Sequence, residues 1–272
     1  GGNLYFTADD GVHGNELWKT DGTVGGTSMV IDLSPPMCPT CPNMDSDIVE
    51  LVAGDSKLFF SSPVQNAGVP DLTRELFVSD GTASGTQLVM DIFDCPLTSG
   101  DITFDYDGVN SLTVLPGSTF GNAGGDRVVF SAFHCSLTNY VCFGEEPWIS
   151  DGTLSGTRSL ADIRVGDTPM NTQDGQGVLI DDVGSQPRFF FQSGDMVYFF
   201  ADDNNSGREL WKIDTSRASS GATLVKDINP GSDDSIHLFY DPEFVQMNYD
   251  IYFAADNGVN GEELWKTNGF GL

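Results

Sequence analysis

Three stretches of this chain gather oxygen ligands: DDGVHGNE at 9–16, DDNNSGRE at 202–209 and DNGVNGEE at 256–263. Calcium takes roughly six to eight oxygens from Asp, Glu, Asn and backbone carbonyls on flexible loops. Asp9, Asp10, Glu16, Asp202, Asp203 and Asp256 are therefore candidate ligands for Ca2+. None of these loops follows the EF-hand pattern, and ordinary hairpin tips share the composition. Asp105-Tyr106-Asp107-Gly108 is a shorter loop of the same ambiguous kind. Abundant carboxylates leave a carboxylate-dependent glycoside hydrolase as one reading. The remaining catalytic inventory is thin. His13, His134 and His237 stand in unrelated contexts, and no GxSxG, HExxH or phosphate-binding glycine loop occurs. The few arginines sit at no repeated position, so a converging arginine site is not expected.

The cysteines offer a second chemistry. Cys38-Pro-Thr-Cys41 is one close pair, Cys135 and Cys142 flank a short insertion, and Cys95 is the odd one. Two local disulfides with Cys95 free is the preferred count, and a bridge from Cys95 to Cys38 or Cys41 is the alternative. One CxxC without a histidine at finger-like spacing argues against zinc. A redox CxxC would need a βαβ setting, which the surrounding residues do not supply.

Composition bounds these readings. The 272 residues are 39% hydrophobic and 11% aromatic, which supports a packed core. Against 12 Lys+Arg stand 40 Asp+Glu, a formal net charge of −28. Such a surface repels nucleic acid and anionic membranes, and it favours solubility and cation binding. No run of about 18 apolar residues is present, so membrane insertion is not expected.

The elements that would position these groups repeat. ELWKTDGTVGGT at 16–27 returns as ELFVSDGTASGT at 75–86 and EPWISDGTLSGT at 146–157. Looser copies are ELWKIDTSRASSGAT at 209–223 and ELWKTNG at 263–269. Ahead of each lies a short apolar block: LYFTADD (4–10), LFFSS (58–62), VVFSA (128–132), VYFFADD (197–203) and IYFAADN (251–257). After the first four come TSMVIDL, TQLVMDI, TRSLADI and ATLVKDI, then IVELVAG, SLTVLPG, RFFFQSG and EFVQMNY. All are short and rich in β-branched and aromatic residues, which marks strands. The units run over approximately 1–56, 57–125, 126–194, 195–248 and a partial 249–272. The chain stops in mid-repeat, so a segment of a longer repeat protein, or one whose closure is unusual, is expected.

Tandem four-stranded antiparallel units with a fixed aromatic and turn signature predict an all-β fold, a β-propeller or propeller fragment. A β-sandwich predicts unlike strands, and a linear array of small β-units is a further alternative. Within the unit, Asp21-Gly22, Asp80-Gly81 and Asp151-Gly152 read as tight turns. Asp caps backbone N–H groups there and Gly accepts positive φ, chemistry similar to the Asp-box turn of sialidases. Trp18, Phe77, Trp148, Trp211 and Trp265 hold one strand position and read as core aromatics, with a sugar-stacking platform as the rival. Glu16, Glu75, Glu146, Glu209 and Glu263 recur just before it. They suggest either a ring of like charges or a carboxylate pinning a backbone N–H. Asn204-Asn205-Ser206 is a glycosylation sequon, which makes Asn204 a candidate acceptor.

ELWKTDGTVGGTSMVIDL resembles the ELWxxDGT repeat family, and the resemblance extends over all five units. Departures are Pro147 for Leu, Phe77 for Trp, Asp214-Thr215-Ser216 for DGT, and Asn268-Gly269 in the last unit. The resemblance implies a secreted or cell-surface repeat scaffold without an assigned enzymatic activity. The expected function is a non-enzymatic structural or adhesive component of a surface layer, filament or matrix, with cations offsetting part of the charge. Its expected partners are other copies of itself, other surface or matrix proteins, or glycans. The alternative is a propeller module that binds glycans or proteins.

Overall fold

The short apolar blocks are strands in the computed structural model, and they assemble into five antiparallel sheets. The structure describes residues 2–33, 46–66, 69–92, 108–117, 125–136, 141–165, 168–169, 184–217, 221–237 and 242–269. Among the described residues there is no α-helix, only a single 3-10 turn at Leu154–Gly156.

The second and fourth sheets show the full set. In the second, Val49–Ala53, Leu58–Asn66, Val69–Ser79 and Gln87–Met90 pair in that order. In the fourth, Arg188–Ser193, Met196–Asp202, Arg208–Asp214 and Ala222–Lys226 do the same. The third sheet orders Val109–Leu115, Arg127–Ser136, Val141–Ser150 and Arg158–Ser159, with Thr168–Pro169 also pairing with Val141–Ser150. Among the described residues the first sheet has only the second to fourth members, Leu4–Asp9, Asn15–Thr20 and Ser28–Ile31. The fifth has only the first to third, Val245–Met247, Asp250–Asp256 and Glu262–Thr267. The later four sheets thus open on the strand that ends the preceding sequence unit, as where a tight hairpin joins Ala53 to Leu58.

Two irregularities recur at fixed places. Register slips between Leu17 and Trp18, Leu76 and Phe77, and Leu210 and Trp211, where the third strand meets the fourth. In the first strand, Glu50, Ser111 and Phe189 take positive φ of 54°, 57° and 59°. Left-handed backbone is costly for residues other than glycine, so its repetition marks a bulge the sheets share.

The chain divides into two compact units. One comprises Gly1–Phe93, Leu97–Val128 and Ser150–Thr157, and the other Asp94–Pro96, Val129–Ile149 and Arg158–Leu272. In the former, Leu17 and Val30 of the first sheet pack on Phe60 and Phe77 of the second. In the latter, Tyr198, Phe200 and Leu210 of the fourth pack on Ile251, Phe253 and Ala255 of the fifth. Side chains alternate between faces along a strand. Tyr198 and Phe200 therefore face the sheet that follows, while Ile251 and Phe253 face the sheet that precedes.

Candidate functional site

The turn after the Trp strand is built identically three times. Asp21 Oδ1 accepts from Thr23 N at 2.9 Å and from Thr23 Oγ1 at 2.7 Å. Asp80 does the same with Thr82, and Asp151 with Thr153. The threonine hydroxyl then accepts from the N–H three residues on: Gly26, Gly85 and Gly156. A Cβ at any of those glycines would run into the aspartate carboxyl, which explains the second glycine of the motif. Hydroxyl pairs close the turn, Thr20 with Thr27, Ser79 with Thr86 and Ser150 with Thr157. Gly22, Gly81 and Gly152 all have positive φ, between 81° and 89°. Asp214 accepts from Ser216 N and Oγ, so the fourth copy keeps the carboxylate bonds without the glycine. The hydroxyl bonds hold Asp21, Asp80 and Asp214 below the usual carboxylate range.

The recurrent glutamate reaches the backbone just beyond the end of the next strand in its sheet. Glu16 accepts from Leu33 N at 3.0 Å, Glu75 from Ile92 N at 2.8 Å, Glu146 from Ile163 N at 3.1 Å and Glu209 from Ile228 N at 2.9 Å. All four glutamates are buried. Of the two readings the sequence leaves open, this geometry is the pinned backbone N–H. Glu146 also accepts from Arg164 N, Ser185 N and Ser185 Oγ, and Glu209 from Asn229 N. Burial pushes the carboxyls of Glu146 and Glu209 up to about 7, against the pull of those donors. Glu263 is exposed.

The turn is also a docking station for the sheet before it. Lys19 Nζ donates to Gly81 O at 2.9 Å, Lys57 Nζ to Asp151 O at 2.6 Å, and Lys212 Nζ to Gly269 O. Tyr5 and Tyr198, the cross-strand partners of Lys19 and Lys212, place their hydroxyls where a Cβ on Gly81 or Gly269 would be. In the second sheet that pair is Phe59 and Val78, and it lies against Gly152 instead. Only glycine fits under these side chains. A further anchor in the same unit is Asp126, 1% exposed. It accepts from Asp55 N, Ser56 N and Oγ, Lys57 N and Gly117 N. Burial works against ionisation there, but those bonds outweigh it and lower the carboxyl to about 2.

The aromatic position is mixed. Phe77 and Trp148 are buried, while Trp18, Trp211 and Trp265 are half-buried. Trp211 Nε1 donates to Ala201 O at 3.1 Å and Trp265 Nε1 to Ala255 O at 3.0 Å.

The acidic loops spend carboxylate oxygens on their own backbone. Asp9 Oδ1 accepts from Gly11 N, and Asp10 Oδ1 from Val12 N and His13 N. Asp202 and Asp203 do likewise with Asn204, Asn205 and Ser206, and Asp256 with Gly258 N. Glu16 points away from its loop, to Leu33. No group of three or more His, Cys, Asp or Glu poised for a metal occurs among the described residues. Asn204 is exposed, and its Oδ1 accepts from Arg164 Nη2 at 3.2 Å. Cys38, Cys41 and Cys95 lie outside the described residues. Cys135 and Cys142 lie on strands Arg127–Ser136 and Val141–Ser150, and their side chains are outside the description.

The structure does gather arginines, contrary to the expectation from their scattered positions. Arg188 pairs with Glu145 through two bonds, 2.5 and 3.1 Å long, and Ser131 Oγ donates to the same carboxylate. Arg208, 4% exposed, donates to Gln186 O at 2.6 Å and Oε1 at 2.9 Å. Arg164 reaches Gly184 O at 3.5 Å and lies 3.6 Å from Asp202. All three converge on residues 184–188, and desolvation holds the Arg208 guanidinium below its ordinary pKa. The available signal was one of register. Arg208 directly precedes Glu209 as Arg74 precedes Glu75, and Arg74 pairs with Asp47 at 2.6 Å.

No family model matches the chain, and no curated protein matches it. Among solved structures it is similar to a prolyl endopeptidase at 10% identity and a TM-score of 0.49, covering 99% of this chain and 33% of that one. TolB from Acinetobacter baumannii is matched at 9% identity and 0.44, covering 98% of this chain and 49% of that one. A puromycin hydrolase is matched at 13% identity and 0.43, covering 93% and 32%. The chain thus spans about a third to a half of the structures it matches, and at these scores the likeness carries no argument about activity.

Proposed function

We propose that this chain is a non-enzymatic, propeller-type repeat scaffold of the ELWxxDGT kind, working at the cell surface or outside the cell as a structural or adhesive component. One observation carries the reading: the residues that recur are spent on architecture. The aspartates hold turns, the glutamates pin strand ends, and lysines tie one sheet to the turn of the next. A catalytic or ligand-binding repeat would leave some of its repeated polar groups turned to solvent. The acidic surface would draw Ca2+ as a diffuse counter-ion around loops whose aspartates already serve their own backbone. Fractionation of the producing cells with an antibody to this chain tests the reading. Recovery in surface, matrix or medium fractions is expected, and recovery as soluble intracellular material overturns it. Melting with calcium and with EDTA tests the cation clause, which an unchanged midpoint removes.

A second reading, a module presenting loops to glycans or proteins, draws on the Arg164–Arg188–Arg208 cluster, whose half-exposed members suit an anionic group. A glycan array read with an Arg188→Ala variant separates it from the scaffold reading.

A further inference from the structure

We propose that Asn257 is a self-modification site, at which the hairpin tip of the fifth sheet converts the side-chain amide to aspartate or isoaspartate through a cyclic imide with Gly258. The inference stands apart from the scaffold reading and uses only contacts inside one compact unit. For the ring to close, the Gly258 nitrogen must reach the Asn257 amide carbon and give up its proton, and the amide oxygen must take on negative charge. The loop places a group at each step. Gly258 N–H donates to Asp256 Oδ1 at 2.7 Å, so a carboxylate already holds the proton that leaves. Asn257 Oδ1 accepts from Val259 N at 3.0 Å and from Asn260 N at 2.9 Å, a pair of backbone donors on the oxygen that gains charge. Gly258 has a φ of 76°, and a Cβ there would come 2.3 Å from Asn229 Oδ1. The fold thus requires at 258 the residue that least hinders attack by its own nitrogen.

Two other hairpin tips share this arrangement without the amide. Asp9 Oδ1 accepts from Gly11 N, and Asp10 Oδ1 from Val12 N and His13 N. Asp202 and Asp203 hold the same places in the fourth sheet. An ionised carboxylate resists attack and has no amine to lose, and the bonds from His13 keep Asp10 ionised down to about 2. The chain has three Asn-Gly pairs, at 257–258, 260–261 and 268–269. At the last of them Gly269 N donates to Thr267 Oγ1 at 3.1 Å, and a hydroxyl is a far weaker base than a carboxylate. The equivalent tip of the fourth sheet, Asn204-Asn205, is exposed although the fifth sheet packs beside that sheet, so water reaches such a tip with a neighbour in place. In the step itself the bond from Gly258 N to Asn257 Cγ forms and the Cγ–Nδ2 bond breaks. The Gly258 proton passes by way of Asp256 to the departing amine, which leaves as ammonia. Water then opens the imide at either carbonyl. Opening at Cγ gives an aspartate, the residue that stands at 10 and 203. Opening at the main-chain carbonyl reroutes the chain through Cγ and lengthens the backbone by one methylene.

Peptide mapping by mass spectrometry on the whole chain, aged at neutral pH, tests this. The readout is the aspartate plus isoaspartate formed at 257, 260 and 268, in the native chain and in the same chain held in urea. Asn257 is expected to convert faster in the native chain than in urea, and in the native chain faster than Asn260 and Asn268. Asp256→Ala should slow conversion at 257 by about a hundred-fold, the lower end of what a positioned base contributes, and leave 260 and 268 at their wild-type rates. A thermal melt of that variant establishes that it folds, and the comparison of native chain with urea needs no variant. Conversion at 257 that is no faster in the native chain than in urea overturns the proposal. So does a folded Asp256→Ala chain that converts at the wild-type rate, or a native chain in which Asn260 or Asn268 outpaces Asn257.

Discussion

The fourth and fifth sheets carry the same tetrapeptide, Glu-Leu-Trp-Lys, at 209–212 and 263–266, in opposite surroundings. Leu210 is 0% exposed and Leu264 77%. Glu209 is buried against Ile228 N, while Glu263 faces solvent. The two tryptophans nonetheless make the same bond, each to an alanine carbonyl ten residues back. Contacts inside a sheet are therefore specified by the unit alone. Contacts across a sheet face, and the pinning of a strand end, need the next element to be present. The motif carries both sets of residues, and burial decides which of them contribute to stability.

The largest effect should separate the leucines. Leu210→Ala removes a fully buried side chain from the cluster with Ile228, Ile251 and Phe253 and should cost about 2–5 kcal/mol. Leu264→Ala should stay within about 0.5 kcal/mol, as exposed substitutions do. Thermal melts of the two variants measure the contrast. Equal losses would mean that Leu264 is covered in solution.

The lysines should give the next contrast. Lys212→Met removes a charge-assisted bond to Gly269 O and should cost about 1.5–3 kcal/mol. Lys266→Met removes an ion pair whose lysine is 62% exposed and screened by solvent, and should leave the denaturation midpoint close to that of the wild type. Denaturant titration reads both. A Lys266 loss as large as that of Lys212 breaks the comparison.

Much of this architecture is local and hence legible in sequence. Strand positions follow from alternating aromatic and β-branched residues, and the DGT turn from residues that bond one another two and three positions apart. The pairing of Glu75 with Ile92 is less so, because it spans seventeen residues and depends on the next strand lying alongside in the right register. Beyond the shared register of Arg208 and Arg74 ahead of the recurrent glutamate, the arginine cluster was hard to read for a related reason. Arg164, Arg188 and Arg208 come from separate segments and meet only because residues 184–188 run between them. The docking of Lys19 on Gly81 links two units through residues whose spacing varies with the loops. Asp126 reads in sequence as part of a polar loop, and only the fold aims backbone N–H groups from two turns at it.

The buried glutamates make the comparison pH-dependent. Glu146 and Glu209 hold their protons up to about 7, against 4.5 ordinarily, because burial disfavours the carboxylate. The native state therefore binds more protons than the unfolded state between those values, and stability should fall as pH rises across that window. Asp126 acts in the other direction. Lowered to about 2 from 3.8, it contributes stability above the ordinary value that is lost as pH falls towards 2. The melting midpoint should therefore peak near pH 4–5. Glu209→Gln should flatten the decline between about 4.5 and 7. A midpoint that rises steadily to neutrality, or a Gln variant with the wild-type slope, would show that these carboxyls are ionised in the fold.

The smallest contrast should be between the tryptophans, and its expected value is zero. Trp211→Phe and Trp265→Phe each remove an indole N–H bonded to a carbonyl of the neighbouring strand, Ala201 in one sheet and Ala255 in the other. Each should cost about 1 kcal/mol for the bond and the carbonyl left behind. Among the described residues the fourth sheet has a strand beyond its tryptophan strand and the fifth does not, so equality means that this bond owes nothing to the neighbour. Local opening free energies from amide exchange in the two hairpins measure it directly, since the fifth sheet can fray without the rest. A loss at Trp211 several times that at Trp265 would place the tryptophan among the contacts between sheets, with the leucine and the lysine. It would also leave the division between unit-specified and neighbour-dependent contacts without its clearest within-sheet member.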